Sequence, residues 1–273
     1  MDPIDIDSLF QGCDPSKELF TSIDAGNKAL MLQHLEQLRQ DPNVSLAPCL
    51  LHCIQTGEKD ALKIFLDQGI LPDESAVEAA VRTGDITTID TLLEHGWDIN
   101  ASLRGGVMPS LICFAVANES LLDSLLHRGA HPNALSCTAE TPLSVAVREG
   151  SIGSIMKLLD AGGDARLGNL LHRAVERTSG DSRQVLELLI SRGAAVDQIE
   201  YDHPVAQQLR YGFPRGTALH KACKLGNADA VAVLRAHGAS VNCKLRQYNS
   251  EIDVTPFGIA ESKDNQEIIA MLR

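Results

Sequence analysis

Apolar residues in this chain come in paired short runs. The stretch TPLSVAVREGSIGSIMKLLDAGGDA, beginning at Thr141, gathers Leu143, Val145, Ala146 and Val147, then breaks at Glu149, Gly150 and Ser151. It resumes with Ile152, Ile155, Leu158 and Leu159 and closes on Gly162. Spacing by three and four puts these side chains on one helical face. The pattern predicts a helix, a turn and an antiparallel helix. Thr141 suits an N-cap, and Pro142 suits the first helical position, where its missing N–H costs nothing. Gly162 suits a left-handed C-cap.

The same pattern returns along the chain. TALHKACKLGNADAVAVLRAHGASVN begins at Thr217 and, like the stretch from Thr141, has Leu two places on, Ala at the sixth place and Gly at the tenth. Looser copies begin at Cys49 (CLLHCIQTGEKDALKIFLDQG), Glu74 (ESAVEAAVRTGDITTIDTLLEHGWDIN), Met108 (MPSLICFAVANESLLDSLLHRGAHPN) and Asn169 (NLLHRAVERTSGDSRQVLELLISRGAAVD). Their closing glycines are Gly69, Gly96, Gly129, Gly162, Gly193 and Gly238, and two of the intervals are 33 residues. The sequence resembles the ankyrin repeat in its period of about 33 residues and its T-P-L-H-x-A signature. The resemblance runs from about Lys17 to Arg273.

It implies an all-α solenoid of about seven to eight stacked helix-turn-helix units with projecting finger loops. Neither helix of such a repeat buries its apolar stripe alone, so neighbours must stack. The expected divisions are a tail over 1–16, an N-terminal capping repeat over 17–47, internal repeats over 48–254 and a C-terminal capping repeat over 255–273. Such an array leaves no room for a second, catalytic domain within it. The resemblance also assigns His172 and His220, at the fourth place of the signature, to hydrogen bonds tying loops of adjacent repeats. Ser144 takes that place in the repeat from Thr141.

Departures from the pattern mark candidate binding residues. The residue after each closing glycine is Ile70, Trp97, Ala130, Gly163, Ala194 or Ala239. A small residue is usual there in the family, so Trp97, the only tryptophan, either plugs a shortened connection or anchors a partner, as exposed aromatics do at binding hot spots. The connections after Gly193 and Gly238 are long, and the additions QIEYDHPVAQQLRYGFPRG (198–216) and CKLRQYNSEIDV carry all three tyrosines, Tyr201, Tyr211 and Tyr248. They also carry Arg210, Arg215, Lys244 and Arg246. Insertions in repeat proteins fall on one face, often the binding face. Just before the tenth place of the repeats lie Arg82, Arg148, Arg177 and Lys224, a row of cations suited to a carboxylate or phosphate.

Charge and chemistry narrow the function. Residues 1–100 hold 18 acids against 6 Lys and Arg, whereas the rest of the chain balances 18 against 18. An acidic surface argues against sequence-independent nucleic-acid binding, which depends on neutralising phosphates. No apolar run approaches the ~18 residues of a membrane span. The opening MDPIDIDSLF has the wrong polarity for a secretory or transit signal. A cytoplasmic or nuclear location is therefore expected, with seven reduced cysteines. Cys49 and Cys53 are one helical turn apart, but no further pair at zinc-finger spacing accompanies them, so no metal and no cofactor is expected. His95, His127 and His237 fit helix C-termini, where positive charge suits the macrodipole.

Phosphate-binding and nucleophile-elbow motifs are absent. His131 and His203, in loops near Arg and Tyr, are the only catalytic suspects. The expected function is a non-catalytic scaffold, a monomer, binding a protein partner or acidic peptide along the groove and fingers through Trp97, Arg82, Arg148, Arg177, Lys224, Tyr201 and Tyr211. The alternative is a small-molecule-binding protein or acid–base enzyme of cyclase or isomerase type, with a groove pocket beneath the 198–216 loop.

Overall fold

The computed structural model describes residues 16–40, 45–248 and 250–273, and the chain divides into two units, one ending at Asp98 and one running from Ile99 to Arg273. The first unit holds three helix pairs: α1 (Ser16–Asp24) with α2 (Lys28–Leu38), α3 (Ala47–Thr56) with α4 (Lys59–Asp67), and α5 (Glu74–Thr83) with α6 (Ile86–Glu94). In the second, a 3-10 turn (Leu111–Ala115) pairs with α7 (Glu119–His127), and α8 (Pro142–Glu149) with α9 (Ile152–Asp160). There follow α10 (Leu170–Glu176) with α11 (Ser182–Ser191), a short α12 (Pro204–Leu209), α13 (Ala218–Leu225) with α14 (Ala228–Ala236), and α15 (Pro256–Ser262) with α16 (Gln266–Leu272). Within each unit, first helices pack on first helices and second on second, as in α3 on α5 and α11 on α14. The all-α repeat solenoid expected from the sequence is the fold observed.

Local chemistry sets the helix ends. Asn27, Asp73, Asp85, Asn118, Ser151, Asn227, Thr255 and Asn265 each accept the backbone N–H of a residue two or three places on. At Thr141 the exchange is reciprocal: Ser144 N donates to Thr141 Oγ1 and Thr141 N to Ser144 Oγ. The six closing glycines all lie in the left-handed region, with φ from 79° to 95°. The next residue, from Ile70 and Trp97 to Ala239, donates its N–H to the carbonyl five places back in every case. This is the Schellman closure, and it satisfies a helix-end carbonyl that would otherwise be orphaned.

Within the second unit the fingers are stitched by a repeated bond pair. Asn100 Nδ2 donates to Gly129 O at 3.1 Å and Asn100 Oδ1 accepts His131 N at 2.7 Å. One repeat later, Asn133 does the same with Gly162 O and Asp164 N. The signature histidines tie loops as expected, His172 Nε2 to Gly216 O and His220 Nε2 to Val254 O.

Three features depart from the pattern. The repeat from Met108 starts with a 3-10 turn rather than an α-helix, because Pro109 is followed by a fully extended Ser110 whose buried hydroxyl caps nothing. The connection after Gly238 forms a hairpin, β1 (Leu245–Gln247) against β2 (Ser250–Ile252). The 198–216 insertion is folded: it carries α12 with Ala206 fully buried, and Glu200 N donates to Gly216 O across its base. The tail expected over 1–16 lies, but for Ser16, outside the described residues, as does Cys13.

Candidate functional site

The cation row expected before the tenth place does not survive as a row. Arg82 reaches back one turn to Glu78, and Arg148 pairs with its neighbour Glu149. Arg177, expected to face a partner, is instead buried. Its side chain is only 3% exposed, forks onto Asp181 at 2.8 and 2.6 Å, and donates through Nη1 to Val147 O at 2.5 Å and Gly150 O at 3.1 Å. The Arg177 guanidinium holds the Asp181 carboxyl down at about 2. The cause is local: this repeat has Thr178 where those from Thr141 and Thr217 have the tenth-place glycine, so α10 stops at Glu176 and Arg177, with ψ 137°, turns back under the preceding repeat. Lys224, by contrast, is exposed and pairs with no acid among the described residues.

Trp97 takes its backbone place in the Schellman closure of α6, the residue is half-buried, and its Nε1 is buried without an acceptor among the described residues. The anticipated tyrosines divide. Tyr201 is half-buried and structural in its contacts: its N–H donates to Asn169 Oδ1, its hydroxyl accepts from Arg173, and Arg210 stacks over its ring at 4.9 Å. Tyr211 is exposed and meets Tyr248 edge-on, with ring centroids 5.2 Å apart.

Around Tyr201 lies a network that reading the repeats did not isolate. Arg173 pairs with Glu140 and Glu176, and Lys221 bridges Glu176 and Glu200 at 2.6 Å each. Burial alone would raise the Glu176 carboxyl; the bonds from Lys221 and Arg173 outweigh it and hold the group below its ordinary value. A signal was present, since Arg173 and Lys221 both follow the signature histidine and Glu140 precedes Thr141. One repeat's acid is thus set against the next repeat's cation.

Above this network, the 198–216 insertion and the β1–β2 hairpin raise a surface. Tyr211, Phe213, Leu225 and Tyr248 are each more than half exposed. The insertion and the hairpin are held together: Tyr248 N donates to Tyr211 O, Gln247 Nε2 to Gly212 O, and Arg215 and Arg246 exchange backbone bonds at 2.8 Å. A cleft of about 320 Å3, open on one side, sits among Glu200, Tyr201, Arg210, Phe213, Lys221 and Lys224. It is a bay in the surface, not the closed cavity a small-molecule enzyme would favour.

The other chemical candidates have structural contacts. His131 Nδ1 accepts Asn133 N and closes a finger turn; His203 occupies the N-cap position of α12 by its backbone alone, and its Nδ1 is buried with no partner among the described residues. Burial and the adjacent Cys49 push the Cys53 thiol up, and burial pushes Cys113 and Cys223 up to about 12, so all three are poor nucleophiles. Among the described residues no group of three or more His, Cys, Asp or Glu is placed to hold a metal, and no helix is long and apolar enough to cross a membrane.

Comparison with known proteins places this architecture. The family model for the ankyrin repeat matches residues 216–245. The ankyrin repeat and KH domain-containing protein mask-1 of Caenorhabditis elegans is 32% identical over 153 residues, 50% of this chain, but the match spans only 6% of that relative. The human ASB11 ankyrin repeat domain superposes with a TM-score of 0.52 at 28% identity, covering 72% of this chain and 81% of that one. The ankyrin repeat domain of Bcl-3 superposes with a TM-score of 0.58 at 23% identity, covering 85% and 99%.

Proposed function

Since the chain is an ankyrin-repeat protein, built on a protein-interaction fold, we propose that it is a non-catalytic scaffold and that its second unit docks a partner protein on the 198–216 insertion and the β1–β2 hairpin. The observation that carries this reading is the exposed cluster of Tyr211, Phe213, Leu225 and Tyr248. Large apolar side chains gathered on a surface mark interaction sites, and aromatics supply much contact area for little lost rotamer freedom. The insertion and the hairpin are cross-bonded at Tyr211–Tyr248 and Arg215–Arg246, so this part of the surface is set before binding and the ordering cost falls. Arg210 and Lys224 at its edge give an acidic segment of the partner its complement. The role expected of the cation row thus passes to the insertion, with Tyr211 and Lys224 kept from the original candidates.

A photo-cross-linking residue at Phe213, compared with one at the exposed Met156 of α9, tests this in lysate of the source organism. A discrete adduct is expected from position 213 alone and lost in Tyr211→Ala/Tyr248→Ala. Truncating a central anchor should weaken binding by about 2 kcal/mol, roughly thirtyfold. Equal labelling from both positions would refute the assignment.

A further inference from the structure

Arg215 is the charged side chain whose surroundings the scaffold does not explain. It is 6% exposed, yet among the described residues no carboxylate pairs with it, and its guanidinium makes one hydrogen bond, from Nη1 to Tyr201 O at 3.3 Å. Guanidinium cannot escape burial by losing its proton, and an uncompensated buried charge is costly. What surface Arg215 keeps opens on two clefts, the one of about 320 Å3 beside Tyr201 and another of about 370 Å3 shared with Gln207, Arg246, Ser250 and Glu251, of which Glu251 makes no ion pair with Arg215. In the first, Arg210 and Lys224 join it, and neither pairs with an acid among the described residues. The acids of that cleft, Glu176 and Glu200, are both held by Lys221. Arg210, Arg215, Lys221 and Lys224 against Glu176 and Glu200 leave the lining with two positive charges in excess.

We propose that this cleft is a subsite for the phosphate of a phosphorylated side chain in the partner's docking segment. The proposal rests on the docking reading above and gives it a chemistry. A phosphate monoester at neutral pH carries nearly two negative charges and three acceptor oxygens, matching the excess in the cleft, whereas a carboxylate would leave half of it unanswered. Arginine forks suit phosphate oxygens, and Arg210 is fixed for the purpose, lying over the rings of Tyr201 at 4.9 Å and Phe213 at 5.9 Å. Phe213 and Leu225 on the rim receive the apolar residues beside the phosphorylated one.

The test is fluorescence anisotropy of the whole chain with three labelled, flank-randomised peptide pools centred on phosphoserine, serine or glutamate. The phosphoserine pool should bind at least about tenfold more tightly than the serine pool. Arg210→Gln and Lys224→Gln, both at the surface, should each reduce that preference about tenfold with an unchanged circular dichroism spectrum. Arg215→Met should abolish the preference while thermal stability holds or rises, because removing an unpaired buried charge relieves the fold. Equal binding of phosphoserine and serine pools, a glutamate pool that matches phosphoserine, or a preference unmoved by the surface variants would each overturn the proposal. If the preference fails while the Phe213 cross-link persists, the docking surface stands without a phosphate seat; if both fail, the docking reading itself falls.

Discussion

Arg173 lets the weight of the buried network be measured. Its guanidinium and the Glu140 carboxylate are 11% and 10% exposed, and they meet through Nε at 3.0 Å and a second, shorter bond from Nη2. In Arg173→Met the partners fare differently. Glu176 and Glu200 keep Lys221. Among the described residues the Glu140 side chain keeps only Asn169 Nδ2 at 3.3 Å, and its Oε2 already lacks a donor. Breaking a buried pair from one side costs about 3–5 kcal/mol, chiefly for the stranded charge. Methionine retains much of the apolar stem, so the lower end, about 3 kcal/mol, is expected.

The stranded-charge argument has its own control. Adding Glu140→Gln to Arg173→Met should recover about 2 kcal/mol, because an amide costs far less to bury than a carboxylate. Arg82→Ala, which breaks an exposed one-turn pair with Glu78, should cost no more than about 0.5 kcal/mol from that pair. Urea unfolding followed by far-ultraviolet circular dichroism reads all of these, with the slope m checked, since repeat arrays depart from two-state behaviour. A loss below about 1 kcal/mol for Arg173→Met, or a double variant no more stable than the single one, would refute the reasoning.

Two further outcomes follow from the same geometry. Arg177→Ala frees Asp181 and leaves the carbonyls of Val147 and Gly150 without their buried donor. It should lower stability by about 2–4 kcal/mol, while partner binding by the fraction still folded, read by the Phe213 cross-link, stays unchanged. Acidification should destabilise the fold in two stages. Burial draws His172 down to about 4 and holds His220 below its usual value, and His220 Nδ1 accepts Thr217 N, which a proton there would displace. The unfolded chain therefore takes up these protons first, so this stability is complete above about pH 6.5 and is lost as the pH falls. His172 alone accounts for roughly 2 kcal/mol by about pH 5. His95, raised by its bond to Asp67, acts in the opposite sense but near the surface. Glu176 and Asp181, both depressed, add a second loss below about pH 4.5. A urea midpoint that rises between about pH 7 and pH 5 would contradict the histidine argument.

The readable part of this protein is its short-range part. Helix starts at Thr141 and Thr255, closures at six glycines and the loop ties of His172 and His220 depend on bonds that recur with the repeat, so sequence positions and physical partners coincide. The direction of Arg177 is not legible in the repeat, because Thr178 stands where the repeats from Thr141 and Thr217 have glycine, and α10 stops at Glu176 with the next side chain turned back. Whether Trp97 plugs or anchors was open in the sequence because its backbone role is the same as that of Ile70 or Ala130, and only its ring differs.

Which charges meet was decided by the tertiary structure. Glu140 and Arg173 are 33 residues apart, and Lys221 and Glu176 are 45 apart. One repeat of stacking plus an insertion brings them together, and no local pattern states the length or path of an insertion. The same holds for the exposed surface: Tyr211 and Tyr248 are separate loop residues in sequence, and they become one aromatic patch only because the 198–216 insertion folds around α12 and bonds to the hairpin. Repetition encodes the scaffold many times over, whereas each departure from it occurs once and takes its meaning from the neighbours the fold supplies.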